Sequence, residues 1–252
     1  MVINLVSAQE RREFQTAQLR ALGIAFDLVE ATTPATLVPA TGHPYWGRWQ
    51  RPLSDAEKAA HASHRRVWET IAAGEAPVLV LEDDAVLMPP VPDLLARLDR
   101  ASGLDHVTLE TRGRAKLLGR AHPALPLRRL WQDHSGAAAY VLWPGAARRL
   151  LARADRSAGL ADAVICAAYE LSSWQAVPAL ALQLDRCAAE GFAPPVPART
   201  SIGRVDRTIY AGLSRADYRT YRARRFAAQA RMALRRLAHP VARRAMVPLG
   251  RG

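Results

Sequence analysis

Three consecutive carboxylates, Glu82, Asp83 and Asp84, close the uninterrupted apolar run from Val78 to Leu81, and their type and spacing point most directly to chemistry. Adjacent carboxylates repel one another, so burying even part of the cluster costs stability unless a cation compensates. Hard divalent ions such as Mn²⁺ or Mg²⁺ take oxygen ligands and keep positions open for substrate phosphates. A strand that ends in acids can therefore serve as a platform for a metal ion and a diphosphate. The same triplet also reads as a solvated acidic turn, or as the cap of whatever follows. Upstream, Ser63, His64 and Trp68 share one helical stretch. There His64 reads equally as a ligand-facing group or a satisfied interhelical histidine, and Trp68 as core packing before it reads as a platform for a base.

The elements that would position these residues follow from periodicity. VINLV reads as a short buried strand, the stretch from Gln9 to Leu22 as a helix ended by Gly23, and IAFDLVEA as a second strand. This order is the signature of a βαβ unit with a parallel sheet. Residues 32–53 carry four prolines with Tyr45, Trp46 and Trp49, which predicts a long ordered loop at the edge of a site. Ser54 followed by Glu57 forms a capping box that opens a helix running to about Gly74. APVLVLEDD is then a central strand, and ligands in open α/β sheets bind beyond the carboxyl ends of strands. Further strands are expected in DHVTLE, GAAAYVLW and WQAVPALALQ, the last ending at Gln183. Helices are expected over residues 91–101, from Pro144, and from near Asp162. Residues 184–215 read as irregular and 216–239 as helical.

The chain has 252 residues, half of them hydrophobic, enough for one sizeable core. No stretch approaches the roughly 20 apolar residues of a membrane span. The opening residues lack the pattern of a secretory signal, and Cys166 and Cys187 are too few for a disulfide framework; a cytoplasmic location is expected. The net charge of +12 is concentrated at one end: residues 1–203 carry a net +1 and residues 204–252 a net +11. The chain is accordingly read as a folded domain, 1–203, and a basic tail, 204–252. In the tail, Phe226, Ala230, Ala233, Leu234, Leu237 and Val241 repeat at helical spacing, with Arg224, Arg231 and Arg235 on the opposite face. A basic amphipathic helix of this kind suits an anionic membrane surface; a helix packed on the domain is the alternative. No nucleic-acid partner is expected, because the folded part is nearly neutral.

The ordered set of motifs resembles the lipooligosaccharide glycosyltransferases of family 25. LSDAEKAAHASHRRVWETI followed by VLVLEDDAVL is similar to that family's E-x-G-C-x-x-S-H-x-x-x-W and V-L-E-D-D-x-x-L elements, with Glu57, Ser63, His64, Trp68, Glu82, Asp83 and Asp84 at the matching positions. INLVSAQERR, LGIAFDLVEA, GAAAYVL, Asp162 and Gln183 extend the likeness over residues 2–184. Departures are Ala59-Ala60 in place of Gly-Cys, ATTP without the family's Gly, and Ala137 in place of Thr. The resemblance implies a GT-A type, Rossmann-like fold with a mostly parallel central sheet. It implies a nucleotide-sugar donor, in particular a UDP-sugar, a glycan or glycolipid acceptor such as lipooligosaccharide, and transfer with inversion assisted by Mn²⁺ or Mg²⁺. Asp84 is then the first metal ligand, with Glu82 beside it, and Glu82 or Asp83 lies near the ribose or donor sugar. Asp162 is the candidate general base and Glu170 the reserve. Asn4, Arg12, Ser63, His64, Trp68 and Gln183 complete the expected donor pocket. Two other functions use the same features: nucleic-acid binding through the Arg-rich tail, and metal-dependent phosphohydrolase or nucleotidyltransferase chemistry.

Overall fold

The computed structural model describes residues 1–134, 136–198, 210 and 212–250. The chain opens as a βαβ unit: β1 (Val2–Asn4), α1 (Gln9–Ala21) and β2 (Leu28–Glu30), with β1 and β2 parallel. Helix α2 (Asp55–Ala73) starts at the expected capping box, in which Ser54 and Glu57 each accept from the other's backbone N–H. It leads into β3 (Val78–Glu82), which pairs parallel to β1. The chain continues through β4 (Ala85–Leu87), α3 (Val91–Asp99), β5 (His106–Thr108), β6 (Lys116–Ala121), β7 (Leu127–Gln132) and β8 (Ala139–Leu142). Then come α4 (Pro144–Arg156), α5 (Ala161–Cys166), β9 (Ser173–Ala176), β10 (Ala181–Gln183), α6 (Arg215–Ala238) and β11 (Arg243–Ala245).

Among the described residues the main sheet has the order β11-β6-β7-β9-β5-β8-β3-β1-β2. The β3-β1-β2 end is parallel, as the opening sequence predicts. Beyond β3 the sheet becomes mixed, because β8 inserts antiparallel between β3 and β5, and only β5 and β9 pair parallel on that side. The expected mostly parallel sheet is thus a mixed one, with three parallel strands in succession at its β3-β1-β2 end and a further parallel pair at β5-β9. A continuous apolar run such as AYVL signals burial on both faces without fixing strand direction.

Both faces are covered. Val80 and Leu81 of β3 point to opposite sides, Leu81 into a core with Leu19 of α1 and Leu94 and Leu98 of α3, and Val80 into one with Val67 and Ile71 of α2 and Leu150 of α4. The strand expected over WQAVPALALQ is broken at Pro178 into β9 and β10, and β10 leaves the main sheet to pair antiparallel with β4. The register sets Gln183 opposite Ala85, which brings the end of β10 to the acidic turn. From the other side, buried Gln15 of α1 donates to the carbonyls of Asp83 and Ala85 at 3.2 and 2.7 Å, and Gln18 exchanges hydrogen bonds with Ala85 and Leu87.

The boundary expected between residues 203 and 204 lies outside the described residues, but the basic tail is no free appendage. After α6 the chain returns to the sheet, where β11 pairs with β6 and Val247 is buried against Leu118, Leu130 and Ala179. Helix α6 docks through a half-buried stripe of Tyr221, Arg224, Ala228, Met232, Arg235 and His239. Arg224 donates to the carbonyls of Gly47 and Trp49, while Arg235 donates to Trp131 O and lies over the rings of Trp131 and Tyr169. Arg224 and Arg235, expected on a solvated face, therefore face the domain. The rim offers carbonyl acceptors and aromatic rings, which suit guanidinium groups better than methyl groups. The apolar row is left outside: Phe226, Leu234 and Leu237 are 74, 64 and 76% exposed.

Candidate active site

Alternation along the chain separates the three acids. Asp83 turns toward α1, where Arg11 Nη1 pairs with its Oδ1 at 2.9 Å and Asn4 Nδ2 donates to its Oδ2 at 2.9 Å. Arg12 Nε in turn donates to Asn4 Oδ1 at 3.2 Å. Glu82 and Asp84 turn the other way and converge on one neutral group: Gln183 Nε2 donates to Glu82 Oε2 at 3.1 Å and to Asp84 Oδ1 at 3.4 Å. An amide cannot neutralise two carboxylates. Burial, reinforced by the neighbouring charges of Glu82 and Asp83, pushes the Asp84 carboxyl up to about 7. Gln183 Oε1 is also buried without a hydrogen-bond partner.

These features fit a hard cation. Carboxylate oxygens are the donors that Mn²⁺ and Mg²⁺ prefer, and the uncompensated charge is of the right sign. Among the described residues, no three His, Cys, Asp or Glu side chains converge closely enough to hold an ion by themselves. An ion here would take Glu82 and Asp84 from the protein and its remaining ligands from substrate phosphates and water.

His64 supports the pair from α2: its Nε2 lies 3.1 Å from Glu82 Oε1 and its Nδ1 lies 3.0 Å from Tyr140 Oη. Burial pushes the Tyr140 hydroxyl far above its ordinary range, so it remains a neutral group. Trp68, expected as part of the donor pocket, is fully buried and donates through Nε1 to the same hydroxyl at 2.9 Å. It has no face free to stack on a base. Ser63 is likewise turned inward, donating to Ala59 O and accepting from Thr32 N, both at 2.8 Å. Its hydroxyl anchors the start of the proline-rich loop. In that loop Tyr45 and Trp46 are core residues: Tyr45 Oη donates to Ala154 O at 2.8 Å, and Trp46 is buried with Leu37 and Leu53. Of the departures from the family pattern, Ala59 and Ala137 are both buried.

Asp162 lies in the first turn of α5 and accepts from Ala163 N at 2.6 Å. Burial raises its carboxyl to about 6, against the pull of the Ala163 N–H and of the nearby His64 and Arg112, with Glu82 adding to the rise. It thus shares the electrostatic environment of the acidic turn. Glu170 does not. It is exposed beyond α5, gripped at two points by Arg153 at 3.1 and 2.6 Å, and those bonds outweigh burial to hold it below the usual carboxylate range. A residue already neutralised by arginine is a poor base, so the reserve role falls away.

Sequence reasoning missed Arg11, Gln15, Tyr140 and Glu110. Glu110 follows β5 and is fully buried, accepting from Ala138 N at 3.2 Å through Oε2 while Oε1 has no hydrogen-bond partner. Its only visible signal was its place at the end of the DHVTLE strand, one more acid at a strand terminus.

Residues 1–112 match the model of glycosyltransferase family 25, described as LPS biosynthesis protein, the family that the motifs of this chain resemble. The lacto-N-neotetraose biosynthesis glycosyltransferase LgtB of Neisseria gonorrhoeae is 33% identical over 177 residues, covering 60% of this chain and 59% of that protein. LgtE of the same species, also named a lacto-N-neotetraose biosynthesis glycosyltransferase, is 33% identical over 175 residues, with the same coverage of 60 and 59%. LgtB of Neisseria meningitidis serogroup A is 32% identical over 166 residues, 56% of this chain and 55% of that protein. The chain therefore spans less than two thirds of the length of these relatives.

Glu110 carries a pH signature. Burial raises its carboxyl to about 8 from an ordinary value of 4.5, with Lys116 opposing the rise and Glu82 adding to it. The folded protein then holds a proton that the unfolded chain releases, so stability from this group is present at low pH and is lost as the pH climbs from 4.5 to about 8. Glu110→Gln should flatten that slope. Melting temperatures of both proteins between pH of about 5 and about 8 should diverge for wild type and variant; parallel curves would mean that Glu110 is ionised in the fold.

Proposed function

We propose that this chain is a hexosyltransferase of the GT-A type. It moves a sugar from a nucleotide-sugar donor, a UDP-sugar, to a hydroxyl of a glycan or glycolipid such as lipooligosaccharide, with inversion. The observation that carries this reading is the convergence of Glu82 and Asp84 at the end of β3 on a single neutral amide, with Asp83 already committed to Arg11 and Asn4. The family match and the glycosyltransferase relatives support it.

Glu82 and Asp84 would hold Mn²⁺ or Mg²⁺, and such an ion, when bound, supplies charge neutralisation on the departing nucleoside diphosphate. The cations Arg11 and Arg12 in the first turn of α1 border the same acidic turn and give the donor's nucleotide side a positive lining. Asp162 takes the proton of the attacking hydroxyl. A carboxyl raised to about 6 is closer to the pH of catalysis than an ordinary one, which is what proton transfer in the transition state requires. A phosphohydrolase or nucleotidyltransferase would use the same acids but form no glycoside.

The lipid-linked acceptor gives the outer face of α6 a partner: an anionic leaflet, the inner face of the cytoplasmic membrane. Among the described residues no helix is long and apolar enough to cross a membrane. The exposed row of Phe226, Leu234 and Leu237 is instead flanked by exposed Arg222, Arg225 and Arg236, in a segment of net charge +11. Charge draws such a face to acidic headgroups and the apolar row enters the interface.

With a panel of UDP-sugars and Mn²⁺, mass spectrometry should detect glycoside formation that excess EDTA abolishes. Asp84→Asn should fold normally and lose about 10²-fold or more in turnover. Asp162→Asn should lose about 10² to 10⁴-fold in kcat with donor affinity nearly intact. Undiminished turnover in EDTA, or in Asp84→Asn, would contradict the metal reading.

Vesicle co-sedimentation tests the membrane face. Because deletion of the tail would also remove β11, the informative variant carries Phe226→Ser, Leu234→Ser and Leu237→Ser. The wild type should bind phosphatidylglycerol vesicles, more weakly as salt rises, and should retain a salt-resistant fraction that the triple variant lacks. Equal partition of the two proteins would remove the membrane reading.

A further inference from the structure

Trp68, Tyr140, His64 and Glu82 form one line of hydrogen bonds from the core to the acidic turn, with successive separations of 2.9, 3.0 and 3.1 Å. Trp68 and Tyr140 are 0% exposed and His64 is 1% exposed, so water cannot substitute for the two inner links. The chemistry of the groups fixes the direction of the line. An indole N–H only donates, so the Tyr140 oxygen accepts from Trp68. The tyrosine hydrogen must then find an acceptor of its own, and His64 Nδ1 is the one within hydrogen-bond distance. With Nδ1 accepting, the ring hydrogen sits on Nε2, where it faces a carboxylate oxygen that can only accept. The opposite arrangement would leave a buried hydroxyl hydrogen unpaired and set a bare ring nitrogen against Glu82, a loss at both ends.

We infer that Tyr140 and Trp68 are positioning residues that fix His64 as an Nε2–H donor and thereby hold Glu82 with its second oxygen beside Asp84 and Gln183. His64 so held has no lone pair facing the site and moves no proton in the reaction. It orients a carboxylate, as groups one step removed from a metal commonly do. The consequence for metal affinity rests on the reading of Glu82 and Asp84 as the ion's ligands; the placement of the hydrogens does not.

The test uses the full-length chain labelled with ¹⁵N. Long-range ¹H–¹⁵N spectra of the histidine rings, with His64 assigned by its loss in His64→Gln, should show the Nε2–H tautomer alone in the wild type. In Tyr140→Phe the single tautomer should be lost, and Mn²⁺ affinity, followed by electron paramagnetic resonance, should fall about 10-fold or more. Should Tyr140→Phe fail to fold, the pair His64→Gln and His64→Asn carries the same question. A glutamine amide nitrogen can take the place of Nε2 and an asparagine nitrogen falls short of it, so the Gln variant should bind Mn²⁺ about 10-fold more tightly than the Asn variant. An Nδ1–H tautomer in the wild type, or a Tyr140→Phe protein unchanged in both tautomer and Mn²⁺ affinity, would overturn the inference. Absence of Mn²⁺ binding in every protein, with the Nε2–H tautomer intact in the wild type, would instead count against the metal reading and leave the positioning role standing.

Discussion

Glu82 and Asp84 stand side by side at the end of β3 with only a neutral amide between them, and much of the surrounding structure holds that unfavourable pair in place. Gln183 arrives because β10 leaves the main sheet and pairs with β4 in a register that sets it opposite Ala85. His64 arrives on α2 and fixes one oxygen of Glu82. Gln15 and Gln18 of α1 hold the backbone of the turn from beneath, so the chain cannot relax the repulsion by swinging outward. Two carboxylates kept together against their own repulsion, with one of them raised to about 7, form a site that gains from a cation. On the proposed reading, the stabilisation withheld from the protein alone would become available in a complex with a metal ion and a diphosphate.

The third acid has a different task. Asp83 ties the acidic turn to Arg11 and, through Asn4, to Arg12. The end of β1 and the end of β3, neighbours in the parallel part of the sheet, are thereby linked side chain to side chain as well as through backbone pairing. Asp162 enters from α5 on the other face, where α2, α4 and α5 share one core. Helix α6 reaches the same region indirectly. Arg224 holds the carbonyls of Gly47 and Trp49, and the Trp49 ring packs so closely over Gly159, just before α5, that a Cβ there would lie 2.9 Å from it.

The parts of this arrangement legible in the sequence were those written as abrupt contrasts. An apolar run ending in three acids marked the strand end where Glu82 and Asp84 meet, the Ser54–Glu57 box marked the start of α2, and the opening strand-helix-strand order marked the parallel end of the sheet. What stayed hidden depended on partners distant in the chain. Gln15 and Gln18 look like solvated helix residues until β4 supplies their carbonyls. Tyr140 lies inside a continuous apolar strand, where nothing local announces that its hydroxyl meets Trp68 and His64. Glu170 matched the chemistry of a base but not the position, because Arg153 on α4 reaches it first. In the tail, spacing identified the helix and its two faces, but not which face would dock. Carbonyls and aromatic rings on the rim selected the arginines over the apolar row.

The most direct measurement of the central claim is the anomalous scattering of Mn²⁺ in crystals of the protein grown with UDP. The account predicts one peak bound by Glu82 and Asp84 together with the diphosphate, while Asp83 remains paired with Arg11. A Mn²⁺ peak on Asp83, or an ordered diphosphate with no ion at Glu82 and Asp84, would contradict it.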